Sequence, residues 1–225
     1  MRWGFLGAGF VATKAMAPAV HAAAGSVLQA VAARDAARAA ALRPVTVSRD
    51  YAAVLDDPAV DVVYISLTNE QHLPWTLRAL AAGKHVLCEK PLGLTGTEVA
   101  QMTEAAAASQ RLLVEAGWYR WHPRTQRAEQ LVRSGALGRL STVEATFRFG
   151  GVPEGNYRLD SARGGGAWLD VGWYVSNALA WALPGDHPVS VQANPRWAPG
   201  GVDASVDATV ALESGCLAGL SAGID

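Results

Sequence analysis

Residues 2–12 read Arg2-Trp3-Gly4-Phe5-Leu6-Gly7-Ala8-Gly9-Phe10-Val11-Ala12. The first five form a short, nearly continuous apolar run, the pattern of a strand covered on both faces. From Gly7 onward the chain spells G-x-G-x-x-A, and residues 11–24 continue with a helical pattern. Placed between a strand and a helix, each small residue has a task. Gly7 permits the tight turn, Gly9 has no Cβ where a pyrophosphate must approach the backbone, and Ala12 lets helix and strand pack closely. The helix start, Gly9 with Phe10 and Val11, turns its partial positive charge toward the phosphates. Outside that setting the same small residues would read as an ordinary strand-to-helix turn.

The setting extends well beyond the motif. Residues 27–33, 61–67, 84–88 and 112–116 repeat the short apolar run, and segments 35–42, 71–82 and 95–109 repeat the helical pattern. Alternating strands and helices imply an α/β unit with a parallel sheet and right-handed crossovers. With the fingerprint on its first turn, this is a Rossmann-type, doubly wound, dinucleotide-binding domain over residues 1–117. The rhythm changes after Gly117. A helix near 122–134, an alternating strand at 140–149, a helix at 166–183 and strands near 188–197, 205–212 and 216–223 predict an α+β domain over 118–225. Its sheet is expected to be mostly antiparallel or mixed.

Composition narrows the function. The 225 residues carry a net charge of −1, with 50% hydrophobic and 17% charged side chains. That balance supports a packed core and gives no electrostatic case for nucleic acid. No apolar stretch is long enough for a membrane span. Cys88 and Cys216 make no disulfide framework, so a reducing cytoplasm is the expected compartment. His21, His85 and His187 show no ligand spacing, so no metal site is expected. There is no G-x-S-x-G elbow of the usual hydrolases.

The second strand ends Ala32-Ala33-Arg34-Asp35. An NAD site usually places an acidic residue at this tip, whereas a guanidinium suits a 2′-phosphate. Arg34 therefore points to NADP. Asp35 leaves NAD open if it reaches the ribose, and Arg34 could be a plain surface charge.

Three further segments carry a resemblance: Thr68-Asn69-Glu70-Gln71-His72, Gly83-Lys84-His85-Val86-Leu87-Cys88-Glu89-Lys90-Pro91, and Gly164-Gly165-Gly166-Ala167-Trp168-Leu169-Asp170-Val171-Gly172-Trp173-Tyr174. With the fingerprint, they resemble the glucose–fructose oxidoreductase/inositol dehydrogenase (Gfo/Idh/MocA) family. The branch is the one with aldose–aldose oxidoreductase, dihydrodiol dehydrogenase and xylose dehydrogenase members. The resemblance implies that Lys90 of the E-K-P motif, with Glu89, lies at the cofactor, and that Tyr174 is a proton donor or acceptor with Asp170 beside it. It also implies a sugar or polyol substrate, and homodimers or tetramers formed through the second sheet. Against the family the second domain reads as short at its C-terminal end and incomplete.

Residue chemistry points the same way. The cofactor takes a hydride, so the protein must handle a proton. Asp170 and Tyr174, four apart on one helix, share a face, and a Lys90 ammonium nearby would favour the phenolate. Thr68, Asn69 and His72 follow the strand at 61–67, on the edge where nucleotides bind, so they join the cofactor set; Asn69 could equally cap a helix. Trp118, Arg120 and His122 follow the last Rossmann strand. Of these, Trp118 and Arg120 are substrate candidates, and Trp118 could instead be buried at the domain junction. Arg158 either binds substrate phosphate or is exposed. The expected function is an NADP-dependent dehydrogenase or reductase acting on a hydroxyl or carbonyl. The alternative is a non-catalytic NAD(P)-binding sensor or degenerate family member.

Overall fold

The computed structural model describes residues 1–225, which fall into two units, Met1–Ala116 and Gly117–Asp225. In the first, β1 (Arg2–Leu6) lies inside a six-stranded parallel sheet with β2 (Val27–Ala32), β3 (Thr46–Ser48), β4 (Val62–Ile65), β5 (His85–Cys88) and β6 (Leu113–Glu115). The strand order is β3-β2-β1-β4-β5-β6, so the winding reverses between β1 and β4. Open sheets bind ligands in the crevice at that reversal.

Helices cover both faces, which is why the strands read as unbroken apolar runs. On one side Phe5, Val31 and Tyr64 pack with Ala12, Ala17 and Val20 from the first helix and Ala39 from α2 (Ala36–Ala40). On the other, Leu6, Val63, Ile65 and Val86 meet α3 (Tyr51–Asp56), α4 (His72–Ala81) and α5 (Gly96–Ser109) through Val54, Leu80 and Met102.

Two elements, β3 and α3, were not expected from the pattern. β3 is three residues long, and Thr46 and Val47 are exposed. The helix expected over 11–24 is also not uniform. It is π-helical over Ala12–Met16 and continues as α1 (Ala17–Ala22). Pro18 supplies the reason, because it has no N–H to offer the Lys14 carbonyl. The Ala17 N–H reaches back to the Ala12 carbonyl instead.

The second unit begins with a 3₁₀ turn, Trp118–Trp121, and α6 (Pro123–Arg133). β7 (Thr142–Arg148) follows. After a glycine-rich loop, a π-helical stretch Trp168–Gly172 leads into α7 (Trp173–Ala182). β8 (Pro188–Trp197), β9 (Asp203–Leu212) and β10 (Leu217–Gly223) form an antiparallel meander, and β10 also pairs in parallel with β7. The sheet, ordered β7-β10-β9-β8, is therefore mixed. Ala208, Val210, Leu212, Ala218 and Leu220 point from it toward Val175, Leu179 and Leu183. Its opposite face is polar, with Arg148 bonded to Asp207 and Ser221 across three strands. No helix is long and apolar enough to cross a membrane.

The tightest local constraint in the first unit is Gly7. Its φ is +98°, and a Cβ there would sit 2.4 Å from the Ser66 carbonyl oxygen. Gly7→Ala should destabilise the fold by about 1–3 kcal/mol. Chemical denaturation measures this, and an unchanged midpoint would contradict the constraint.

Candidate active site

The nucleotide end is built where β1, β2 and β4 finish together. The Gly7 N–H bonds the Ala32 carbonyl at 2.8 Å, and the Ser66 N–H bonds the Leu6 carbonyl at 2.9 Å. Gly9, next in the turn, is nearly free of neighbours; a Cβ would meet only Ser66, its Oγ at 3.3 Å. The turn thus needs Gly7 for its own geometry and leaves open space at Gly9, as the close approach of a pyrophosphate requires. No side chain caps the helix start, and Phe10 and Val11 are exposed there at 77% and 38%. An uncapped start with solvent-facing apolar side chains suits a bound dinucleotide.

At the tip of β2, Arg34 is exposed. Asp35, the residue that leaves NAD open, caps α2 through one oxygen; its Oδ1 accepts from the Ala37 and Arg38 N–H groups at 2.9 and 3.3 Å. Arg38 was not among the expected residues. Its Nη2 donates to the Ala8 carbonyl at 2.6 Å, which brings a second guanidinium onto the fingerprint turn. The i, i+4 spacing from Arg34 was the available sign.

Beyond β4, Thr68 Oγ1 donates to Glu70 at 2.7 Å and Asn69 is buried at the start of a 3₁₀ turn. Thr68, not Asn69, holds the cap position of that turn. His72 is fully buried. Its Nδ1 lies 2.8 Å from the Pro91 carbonyl and its Nε2 3.3 Å from that of Leu67. Burial pushes the imidazole below its ordinary value, against the pull of those two carbonyls. A neutral imidazole has one N–H, and given to the nearer carbonyl, that of Pro91, it ties α4 to the E-K-P loop. Glu89 Oε1 accepts from the Tyr64 hydroxyl at 2.6 Å, another contact that sequence reading missed.

In the second unit the three glycines Gly164–Gly166 fold a loop back on itself. A Cβ on Gly165 would sit 2.6 Å from the Arg158 carbonyl oxygen, and one on Gly166 would sit 2.2 Å from Asp203 Oδ1. The Gly166 N–H bonds the Arg158 carbonyl at 2.9 Å, while Asp203 receives the Trp168 N–H at 2.6 Å and caps the helix from β9. Burial pushes the Asp203 carboxyl up, against these backbone donors.

The fold-back brings Arg158 Nε to Asp170 Oδ2 at 2.6 Å. The carboxylate is 7% exposed and the guanidinium 29%. Arg158 is therefore not a free surface charge; it is paired with Asp170. Tyr174 follows one turn later. Its oxygen accepts from Trp118 Nε1 at 3.1 Å, and its ring packs among Tyr119, Phe147 and Trp173. Trp118 itself is 61% exposed, not buried. Arg120 is engaged elsewhere, with Nη2 2.8 Å from Glu129, and His122 caps α6.

Residues 1–116 match the model of the Gfo/Idh/MocA oxidoreductase family, NAD-binding Rossmann fold, and residues 125–225 match that family's C-terminal domain. The chain belongs to this family, whose named members include dehydrogenases and reductases. It is 35% identical to D-xylose 1-dehydrogenase (NADP(+)) 2 of Haloferax volcanii, over 100% of this chain and 70% of that protein. It is 32% identical to trans-1,2-dihydrobenzene-1,2-diol dehydrogenase of Sus scrofa, over 96% and 65%. A 3-ketoreductase from Actinomadura kijaniata, solved with NADP and TDP-benzene, superimposes with a TM-score of 0.91 at 29% identity, covering all of this chain and 70% of that one.

Removing one partner of the Arg158–Asp170 pair leaves a buried charge uncompensated. Arg158→Met should cost about 3 kcal/mol, while Arg158→Met with Asp170→Asn should recover much of that. Denaturant titration of the two variants checks this, and equal midpoints would show that the pair is not coupled.

Proposed function

We propose that the chain is an NADP-dependent oxidoreductase transferring hydride between the nicotinamide and a hydroxyl or carbonyl of a sugar or cyclic polyol. Residues 1–117 would bind the cofactor and 118–225 the substrate. The observation that carries the reading is Tyr174, a phenol held by an indole N–H one helical turn beyond the Arg158–Asp170 pair.

Bound at the fingerprint, the nicotinamide would supply the hydride step. Everything else falls to the chain. Gly7, Gly9, Phe10 and Val11 form the turn for the pyrophosphate. Thr68, Asn69 and Glu89 line the strand ends beside it. Arg34 and Arg38 supply two guanidinium groups for a 2′-phosphate. Both the xylose dehydrogenase and the ketoreductase carry NADP in their names or complexes.

Tyr174 handles the proton. It takes the proton from an alcohol being oxidised, and returns it when a carbonyl is reduced. The Trp118 N–H donates to the phenol oxygen and so holds it in place for the transfer. Asp170 acts through Arg158, holding the guanidinium in place. The Lys90 ammonium stabilises negative charge on the reacting oxygen, and Trp118, exposed beside the phenol, offers a face for a sugar ring.

Reduction of NADP in the presence of aldoses and cyclic polyols tests this. Tyr174→Phe should lower kcat by about 10²–10⁴ with KM for NADP unchanged, and Lys90→Met should act in the same direction. Full activity in the double variant would defeat the mechanism. Tight cofactor binding without turnover on any compound would make the chain a sensor instead.

The same reading includes self-association through the mixed sheet. β8 is an edge strand exposed along all ten residues, and such edges pair readily. Sedimentation should show a dimer or tetramer that Val191→Lys, at a position 58% exposed, shifts toward monomer. A wild-type monomer at all concentrations would remove this part.

A further inference from the structure

Tyr64 sits inside β4, a four-residue strand buried along its whole length. Its ring makes an edge contact with Phe5, centroids 4.9 Å apart, and phenylalanine would serve that packing equally well. The hydroxyl is what needs explaining, because an unsatisfied buried O–H is costly. It is satisfied by a carboxylate. Tyr64 pairs with Leu87 in the parallel register, so Glu89, two residues on, projects from the same face at the end of β5. The O–H···O distance is 2.6 Å, the length of a charge-assisted bond. The Glu89 backbone is pinned as well, its N–H on the Ile65 carbonyl at 3.0 Å.

Burial is the largest influence on the Glu89 carboxyl and pushes it above its ordinary value. Three things oppose this: the Tyr64 hydroxyl, the Lys90 charge, and the Lys90 backbone N–H. The other groups around the pair supply no competing cation. From β4, Ser66 donates toward the Tyr64 oxygen. On β5, the Cys88 thiol is pushed up by burial. From β6, Glu115 is engaged by the Leu92 N–H at 2.7 Å. Beside α4, Glu70 is bonded to Thr68, and His72 is driven toward neutrality.

We propose that Tyr64 is a positioning residue for the reaction: its buried hydroxyl holds Glu89 as a carboxylate against Lys90, and so fixes the charge and place of the Lys90 ammonium. The inference rests on the reading of Lys90 given under Proposed function. Tyr64 touches neither substrate nor cofactor and acts only through Glu89.

The test is the Tyr64→Phe variant of this chain, labelled with ¹³Cδ-glutamate; the Glu89 resonance is assigned by its loss in Glu89→Gln. The variant should melt cooperatively, with KM for NADP within about twofold of wild type. Glu89 should take up its proton about one pH unit higher, a tenfold gain in proton affinity. The acid limb of the kcat profile should move up with it. A merely structural tyrosine would change the melting temperature and move neither titration. An unmoved Glu89 midpoint overturns the inference, as does an unmoved acid limb in an active enzyme. Should Tyr64→Phe fail to fold, Glu89→Gln makes the same test by removing the acid limb, and a retained limb overturns it. The carboxyl titration needs no turnover. A shifted midpoint in a chain inactive on every substrate therefore supports the Tyr64–Glu89 link and defeats only the reading of function.

Discussion

Gly7 is held at a positive φ with its Cα pressed against the Ser66 carbonyl, and the first unit is arranged around that contact. It is possible only because β1 and β4 are adjacent and end at the same level. It also forces the chain to turn sharply off β1 into the helix. From the same level come the loop of Thr68 and Asn69, the tip of β2 with Arg34, and the end of β5 with Glu89 and Lys90. A single backbone clearance thus sets which side chains gather at the carboxyl ends of these strands.

The second unit rests on a different device. Its site depends on a loop folded onto the start of a helix, where backbone carbonyls of Tyr157 and Arg158 approach Gly165 more closely than a Cβ allows. That approach carries Arg158 to Asp170 and fixes the helix face on which Tyr174 follows. The first unit presents backbone to a ligand, and the second presents a paired charge and a phenol. Both rely on glycine for closeness, but only the second makes an ion pair from it.

How much of this was legible follows from how each feature is encoded. The parallel sheet was legible because strands buried on both faces leave unbroken apolar runs. β3 and α3 were not, because Thr46–Ser48 is too short and exposed to carry a pattern. The α3 cap, Asp50, looks like any loop aspartate until its oxygen is seen on the Ala52 N–H. Glycines of the fingerprint could be read, since a motif encodes local backbone. The partners of Asp170, Glu89 and Ala8 could not. Arg158, Tyr64 and Arg38 reach them across loop closure or strand register, neither of which a linear spacing specifies. The contacts of His72 with a backbone carbonyl and of Arg120 with Glu129 were hidden for the same reason, because they depend on packing.

The most direct test of the account is calorimetric titration of the chain with NADPH and with NADH. With Arg34 at the β2 tip and Arg38 reaching from α2 onto the fingerprint turn, NADPH should bind at least about tenfold more tightly, and Arg38→Ala should erase most of the difference. Equal affinity for the two, or no binding of either, would contradict it.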